Sequence, residues 1–491
     1  AKMTSHQQKK MDLESIRHFR DRFNIPIPDD KLEELPFYMP PADSPEMKYL
    51  HERRKALGGY LPQRRTKADN VPEVPPLEAF DALLKPNERE ISTTMAFVRL
   101  LTALLRDKNL GKYVVPIVPD EARTFGMEGL FRQLGIYSSE GQKDEPVDRD
   151  QVAYYREDKS GQVLEEGITE AGAISSWIAA ATSYSHSNLI TVPFFIFYSM
   201  FGLQRVGDLV WAAGDQRARG FLLGGTAGRT TLNGEGLQHQ DGHSHILASV
   251  VPSCVSYDPT FAYELAVIIH DGLRRMVTNQ EDVFYYITVM NENYAHPGIE
   301  EVADKNAREN ILKGMYLFKE GTKGKKRVQL MGSGTIFREV IAAADLLEAD
   351  WGVSADIWSC TSFNELRRDG LDVDRWNMLH PTETPRVSHV ERCLKDREGP
   401  AVAATDYIKT FADQIRPFMP KGKTYRVLGT DGYGRSDTRD RLRHHFEVDR
   451  YWVTVAALKA LADDGVVKPA VVADAIKKYG LDPEKPNPLT V

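Results

Sequence analysis

Glu170 stands where a carboxylate is least expected, on the apolar face of a helix. Glu170, Ile174, Trp177, Ile178 and Ala181 fall at i, i+4, i+7, i+8 and i+11, the spacing of one helical stripe. Desolvation on such a face disfavours the charged form of a carboxyl, so the group can share or donate a proton near neutral pH. A helix-start carboxylate held by the first backbone N–H groups and the helix dipole fits the same position. Spacing alone leaves both readings open.

The stretch GEGLQHQDGHSH, residues 234–245, gathers His239, His243 and His245 in a glycine-rich, irregular segment. Imidazoles there suit proton transfer, loop hydrogen bonding or a metal. The metal reading has no HExxH or cysteine set beside it. Asp120 and Glu121 directly follow the apolar run YVVPIV, and the carboxyl end of a parallel strand favours a site. An acidic pair opening a helix explains them equally well. Phe194, Phe195, Phe197, Tyr198 and Phe201, with Arg205 after them, are core residues by default, but those at a strand end can stack on a flat heterocycle. MGSGT, residues 331–335, lacks the full phosphate-binding signatures and reads as a tight turn. No GxSxG is present, which removes the usual nucleophile elbow of a hydrolase.

The elements that must position these residues follow from the hydrophobic pattern. Helix and apolar run alternate from Ile91: TTMAFVRLLTALL, YVVPIV, ITEAGAISSWIAAATSY, ITVPFFIFY, FGLQRVGDLVWAAGDQ, FAYELAVIIHDGLRRM and VFYYITVM. Continuous apolar strands between helices predict an α/β fold with a parallel sheet covered on both faces. The alternation restarts at RVQLMG, followed by a helix closed by Gly352, the runs VSADIWSC, PAVAAT and YRVLGT, and two terminal helices near residues 451–462 and 467–479. The proline- and charge-rich segment 61–76 reads as a linker. Leu13, Ile16, Phe19 and Phe23 lie at helical spacing before it, and Ser44 with Pro45 opens another helix. The expected division is a helical remnant over 1–69, one doubly wound domain over 70–300 and a smaller one over 301–491.

At 491 residues, with 42% hydrophobic and 27% charged residues and a formal net charge of −7, the chain is ordinary for a globular protein, and nothing attracts it to nucleic acid or an anionic membrane. Residues 171–204 carry no Asp, Glu, Lys or Arg, yet the serines, threonines, Asn188 and Pro193 spread through them argue for a buried helix and strand rather than a membrane span. Cys254, Cys360 and Cys393 have no disulfide or zinc spacing, which fits a reducing cytoplasm.

Several long segments resemble the homodimeric, bacterial-type pyruvate dehydrogenase E1 components: DEARTFGMEGLFRQLGIYS, REDKSGQVLEEGITEAGA, FYSMFGLQRVGDLVWAAGDQRARGFLLGGTAGRTTLNGEGLQHQDGHSH, NMLHPTETPRV and LGTDGYGRSDTRDRLRHHFEVD. That family belongs to the transketolase-like thiamine enzymes, so the resemblance implies a pyrimidine-binding domain followed by a transketolase-type C-terminal domain. The family's G-I-x-E element matches Gly167, Ile168, Thr169 and Glu170, which implies that Glu170 hydrogen-bonds N1′ of the aminopyrimidine of thiamine diphosphate. By the same resemblance Tyr198 and Phe201 pack on the pyrimidine, with Asp120, Glu121, Ile168 and Arg205 around the cofactor. His239 faces the substrate. His6 belongs to a mobile loop that assists acetyl transfer to lipoyl, and Lys2 lies on that loop. The implied substrate is pyruvate, and the implied partners are a second copy of the chain and the dihydrolipoyl acetyltransferase E2 with its lipoyl domain. The family's GDG…Asn motif for diphosphate and Mg2+ has no counterpart, since TDG at 430–432 and DDG at 463–465 lack its context. No metal ligand is therefore expected in this chain, which reads as a C-terminal fragment holding half of each site and inactive by itself. A binding role, with the last domain supporting dimer and E2 contacts, is the rival of a different class.

Overall fold

The computed structural model describes residues 10–60, 64–119, 122–147, 155–324 and 326–491. The chain forms two compact units, Ala1–Arg64 and Arg65–Val491. In the first, the helix Leu13–Arg22 buries none of its residues and leaves Leu13, Phe19 and Phe23 exposed. The helix Pro45–Ala56 starts as its sequence predicts: Ser44 Oγ accepts from Met47 N at 3.3 Å, with proline in the first turn.

Within the second unit a six-stranded, fully parallel sheet runs in the order Leu164–Glu165, Val114–Val118, Val192–Tyr198, Phe221–Gly225, Phe284–Thr288, Cys254–Tyr257. Side chains alternate across a strand, so Phe194 and Ile196 join one core while Phe195 and Phe197 join another. The first core takes in the helices Thr93–Arg106 and Ala262–Leu273; the second takes in Glu170–Ala181 and Gly202–Asp215. Helices thus cover both faces, as the continuous apolar strands require. Trp177 is fully buried and anchors its helix to the sheet, its indole Nε1 donating to Phe221 O at 3.0 Å.

A second sheet, ordered Tyr316–Lys319, Val353–Ser359, Lys326–Gly332, Ala401–Ala404, Tyr425–Leu428, is parallel except for its first strand. The fold is therefore α/β with two sheets, and no helix among the described residues is long and apolar enough to cross a membrane. Cys254, Cys360 and Cys393 carry no disulfide.

Buried acids lock the two sheets together. Glu264, in the first turn of the helix Ala262–Leu273, accepts from Thr260 N and Phe261 N and also from Tyr316 OH and Ser359 Oγ of the second sheet. Asp258, just past the strand Cys254–Tyr257, accepts from Thr288 Oγ1 at 2.7 Å, Ser333 Oγ at 2.7 Å and Tyr407 OH at 3.1 Å. Burial pushes the Asp258 carboxyl up to about 7 despite these donors. Nearby, burial pushes the fully buried His245 down to about 4.

The folded protein therefore keeps a proton on Asp258 that the unfolded chain releases near pH 4. This contribution is complete below about pH 4 and is lost as pH rises to about 7; the opposite contribution of His245 is common to both proteins in the comparison that follows. Thermal melts of Asp258→Asn should show its Tm moving in its favour, relative to the unsubstituted protein, as pH is raised from about 4 to about 8. A Tm difference that stays constant with pH contradicts this assignment.

Candidate active site

The crossover connections decide where a ligand can enter. From Val114–Val118 the chain passes to the outer strand Leu164–Glu165 on one side, whereas from Val192–Tyr198 it passes to Phe221–Gly225 on the other. Neighbouring strands whose connections leave in opposite directions open a crevice at their carboxyl ends. A cavity of about 180 Å³ lies at this point. Pro119 follows the first strand into its wall, Phe195, Phe197 and Tyr198 come from the second, and Ile168, Thr169, Glu170 and Ala173 come from the crossover. Phe201 and Arg205 complete it from the start of the next helix.

Glu170 is aimed into the cavity by its local backbone. Glu166 N donates to Val118 O at 3.0 Å, laying the crossover across the end of the first strand. Gly167 then turns with φ +76°, a conformation an L side chain resists. Thr169 caps the helix Glu170–Ala181, its Oγ1 accepting from Gly172 N at 3.2 Å. Glu170 is the first helical residue, its side chain only 19% exposed, and its Oε1 accepts from Arg205 Nη1 at 3.0 Å. Ile174, Trp177 and Ala181 of the predicted stripe are buried and Ile178 is partly so.

The opposite wall is aromatic. Tyr198 and Phe201 meet edge to face at 5.8 Å, and the Arg205 guanidinium lies 4.2 Å over the Phe201 ring. Phe194, Phe195 and Phe197 are buried, whereas Tyr198 and Phe201 keep partial exposure. The imidazole of His239 packs against these two rings at 5.0 and 5.1 Å, and its Nδ1 is buried without a hydrogen-bond partner among the described residues.

Five expected residues, Ile168, Glu170, Tyr198, Phe201 and Arg205, thus line one cavity with His239 beside it. Asp120, Glu121, His6 and Lys2 lie outside the described residues. The three histidines do not converge: His243 Nε2 pairs with Gln204 Oε1 and His245 Nε2 with Thr288 Oγ1, and no group of three metal-ligating side chains occurs among the described residues. The MGSGT segment is a turn, with Gly334 at φ +51° and Ser333 Oγ committed to Asp258. Sequence reasoning missed Asp258 and the buried Asp406, which accepts from Thr230 N at 3.0 Å and Thr231 Oγ1 at 2.7 Å; both sit just past strand ends, in VSYD and AATD, and an acid in that position was the available signal. A larger hollow of about 640 Å³ follows the helix Leu13–Arg22 in the first unit, but among the described residues no groups from separate elements converge there.

Residues 82–297 match the pyruvate dehydrogenase E1 component middle domain, and residues 314–449 match the transketolase-like C-terminal domain. The pyruvate dehydrogenase E1 component of Cupriavidus necator is 64% identical over 491 residues, a span covering 99% of this chain and 54% of that protein. The chain carries the middle domain of pyruvate dehydrogenase E1 components followed by a transketolase-like C-terminal domain. The Escherichia coli E1 component is 58% identical over 490 residues, covering 99% of this chain and 54% of the relative. The chain thus spans about half the length of the curated relatives it matches. Transketolases from Campylobacter jejuni (14% identity, TM-score 0.57, 91% of this chain and 59% of that one) and Leishmania mexicana (14%, 0.58, 91% and 54%) share the fold.

Gly202 keeps the aromatic wall in place, because a Cβ there would overlap the Phe197 ring. That ring is itself held by Phe195 and Tyr286. Gly202→Ala gains about 1 kcal/mol of helix propensity but overpacks a filled core at about 1–3 kcal/mol. Urea unfolding should show a lower midpoint for the variant, and an unchanged or higher midpoint would mean that the wall yields.

Proposed function

We propose that this chain builds the pyrimidine-binding half of a thiamine-diphosphate site in a homodimeric pyruvate dehydrogenase E1 component. The complete enzyme decarboxylates pyruvate and passes the acetyl unit to the lipoyl group of dihydrolipoyl acetyltransferase E2. The observation that carries this reading is the carboxylate of Glu170 facing the aromatic wall at the topological switch point. The 58–64% identity to E1 components supports it.

The lining fits an aminopyrimidine, a flat ring with apolar faces and polar edges. At about 180 Å³ the cavity is smaller than the roughly 300–1,000 Å³ clefts that enclose drug-sized ligands, so it suits one ring rather than the whole cofactor. Tyr198 and Phe201 would flank the ring, Ile168 would lie near it, and Glu170 would hold a proton at N1′. An ion pair with a half-exposed partner is worth on the order of 1 kcal/mol or less, so Glu170 can give up Arg205 for a ring nitrogen at small cost. When bound, thiamine diphosphate supplies the electron sink for loss of carbon dioxide from a 2-oxo acid. His239, at the rim with its Nδ1 unpaired among the described residues, is suited to move a proton on the substrate side. Asp120 and Glu121, next in sequence after the lining residue Pro119, are assigned to the cofactor, and His6 to the acetyl-transfer step. Mg2+ and the diphosphate are assigned to residues of the longer protein, and the enzyme to the cytoplasm.

Steady-state kinetics of the full-length protein test the reading. Pyruvate should be turned over at least about a hundredfold faster than 2-oxoglutarate or a sugar phosphate, and Glu170→Gln should lower kcat for pyruvate by about a hundredfold or more, in the range of lost proton-transfer catalysis. Preference for a sugar phosphate, or full turnover by the variant, would overturn it.

A further inference from the structure

The segment that carries His239 is secured from the second sheet's side of the molecule. Arg435 N donates to Gln240 Oε1 at 2.7 Å, and Gln240 Nε2 donates back to Arg435 O. The same two segments are joined by Ser436 Oγ donating to Glu235 O at 2.7 Å and by Gly234 N donating to Asp437 O at 3.2 Å. The approach is too close for a side chain at Gly434, whose added Cβ would lie 2.6 Å from Leu237 O. Arg229, itself buried, braces the far segment by donating from Nη1 to Thr430 O at 2.5 Å and to Gly432 O.

His239 has no comparable support of its own. Its ring touches Tyr198 and Phe201, and its Nδ1 finds no partner among the described residues. Its place is set by the backbone around it, where Gln240 N donates to Leu237 O at 3.2 Å and the Gln240 side chain, 1% exposed, is tied to Arg435.

We infer that Gln240 is a positioning residue for His239, its side-chain amide locked onto the Arg435 backbone so that the C-terminal domain fixes where the imidazole stands. The inference rests on the reading of His239 as the group that faces the substrate. A primary amide is needed because it must donate and accept at once. A carboxylate at this position would still accept from Arg435 N but would set an anionic oxygen against Arg435 O; once protonated, it can make both bonds again.

The test is a double-mutant cycle in the full-length enzyme with pyruvate. His239→Ala should lower kcat by about a hundredfold. Gln240→Ala should lower kcat about tenfold or more through misplacement of the imidazole, with KM for pyruvate changed less than about threefold. On the His239→Ala background Gln240→Ala should cost nothing further, because the two residues act as one unit. Losses that multiply, or full activity in Gln240→Ala, would overturn the inference; full activity in His239→Ala would instead overturn the reading beneath it. Should Gln240→Ala fail to fold, the pH profile of Gln240→Glu decides. Its kcat relative to the unsubstituted enzyme should rise as pH falls, and a flat ratio would overturn the inference.

Discussion

The constraint on which the site depends is topological. The connection after Val114–Val118 leaves the sheet in one direction and the connection after Val192–Tyr198 in the other, so the space above these two neighbouring strand ends is left without a covering crossover. Everything that matters chemically hangs from that gap. The crossover through Gly167 delivers Glu170 to one wall, and the strand end and following turn deliver Tyr198 and Phe201 to the other. A polar group at a helix start and aromatic faces at a strand end then meet because the backbone brings them together.

The second sheet secures this arrangement. Asp258 and Glu264 collect hydroxyl donors from both sheets, and buried acids of this kind are stable only when so satisfied. The same side of the molecule reaches the site through the pairing of Gln240 with Arg435. A domain that, among the described residues, contributes no side chain to the cavity wall is thus tied to the segment at its rim.

Much of this was legible in the sequence. The strands Val114–Val118 and Val192–Tyr198 announce themselves as continuous apolar runs, and the stripe below Glu170 marks its helix. The strand Phe221–Gly225 escapes the hydrophobic pattern, because two of its five residues are glycines; the structure explains them, since a Cβ on Gly224 would meet the Tyr286 hydroxyl and one on Gly225 the Phe125 ring. The long helix Phe363–Leu379 was also missed, having only Phe363, Asn364, Leu366 and Gly370 buried and hence little apolar periodicity. Gln240 and Arg435 are 195 residues apart, and no local pattern can announce such a pair. The role of Glu170 is ambiguous from spacing alone, since helix-start and catalytic carboxylates share one pattern; Glu170 does open its helix, and its orientation toward an aromatic cavity is what supports the proposed role.

The central claim is that Glu170 holds a proton on the pyrimidine ring and thereby prepares the cofactor for attack. It is tested most directly by the exchange of the thiazolium C2 proton of thiamine diphosphate with deuterium, followed by quenched NMR in the full-length protein and in its Glu170→Gln variant, both saturated with cofactor. The account predicts exchange slowed by about a hundredfold or more in the variant. Equal exchange rates in the two proteins would contradict it.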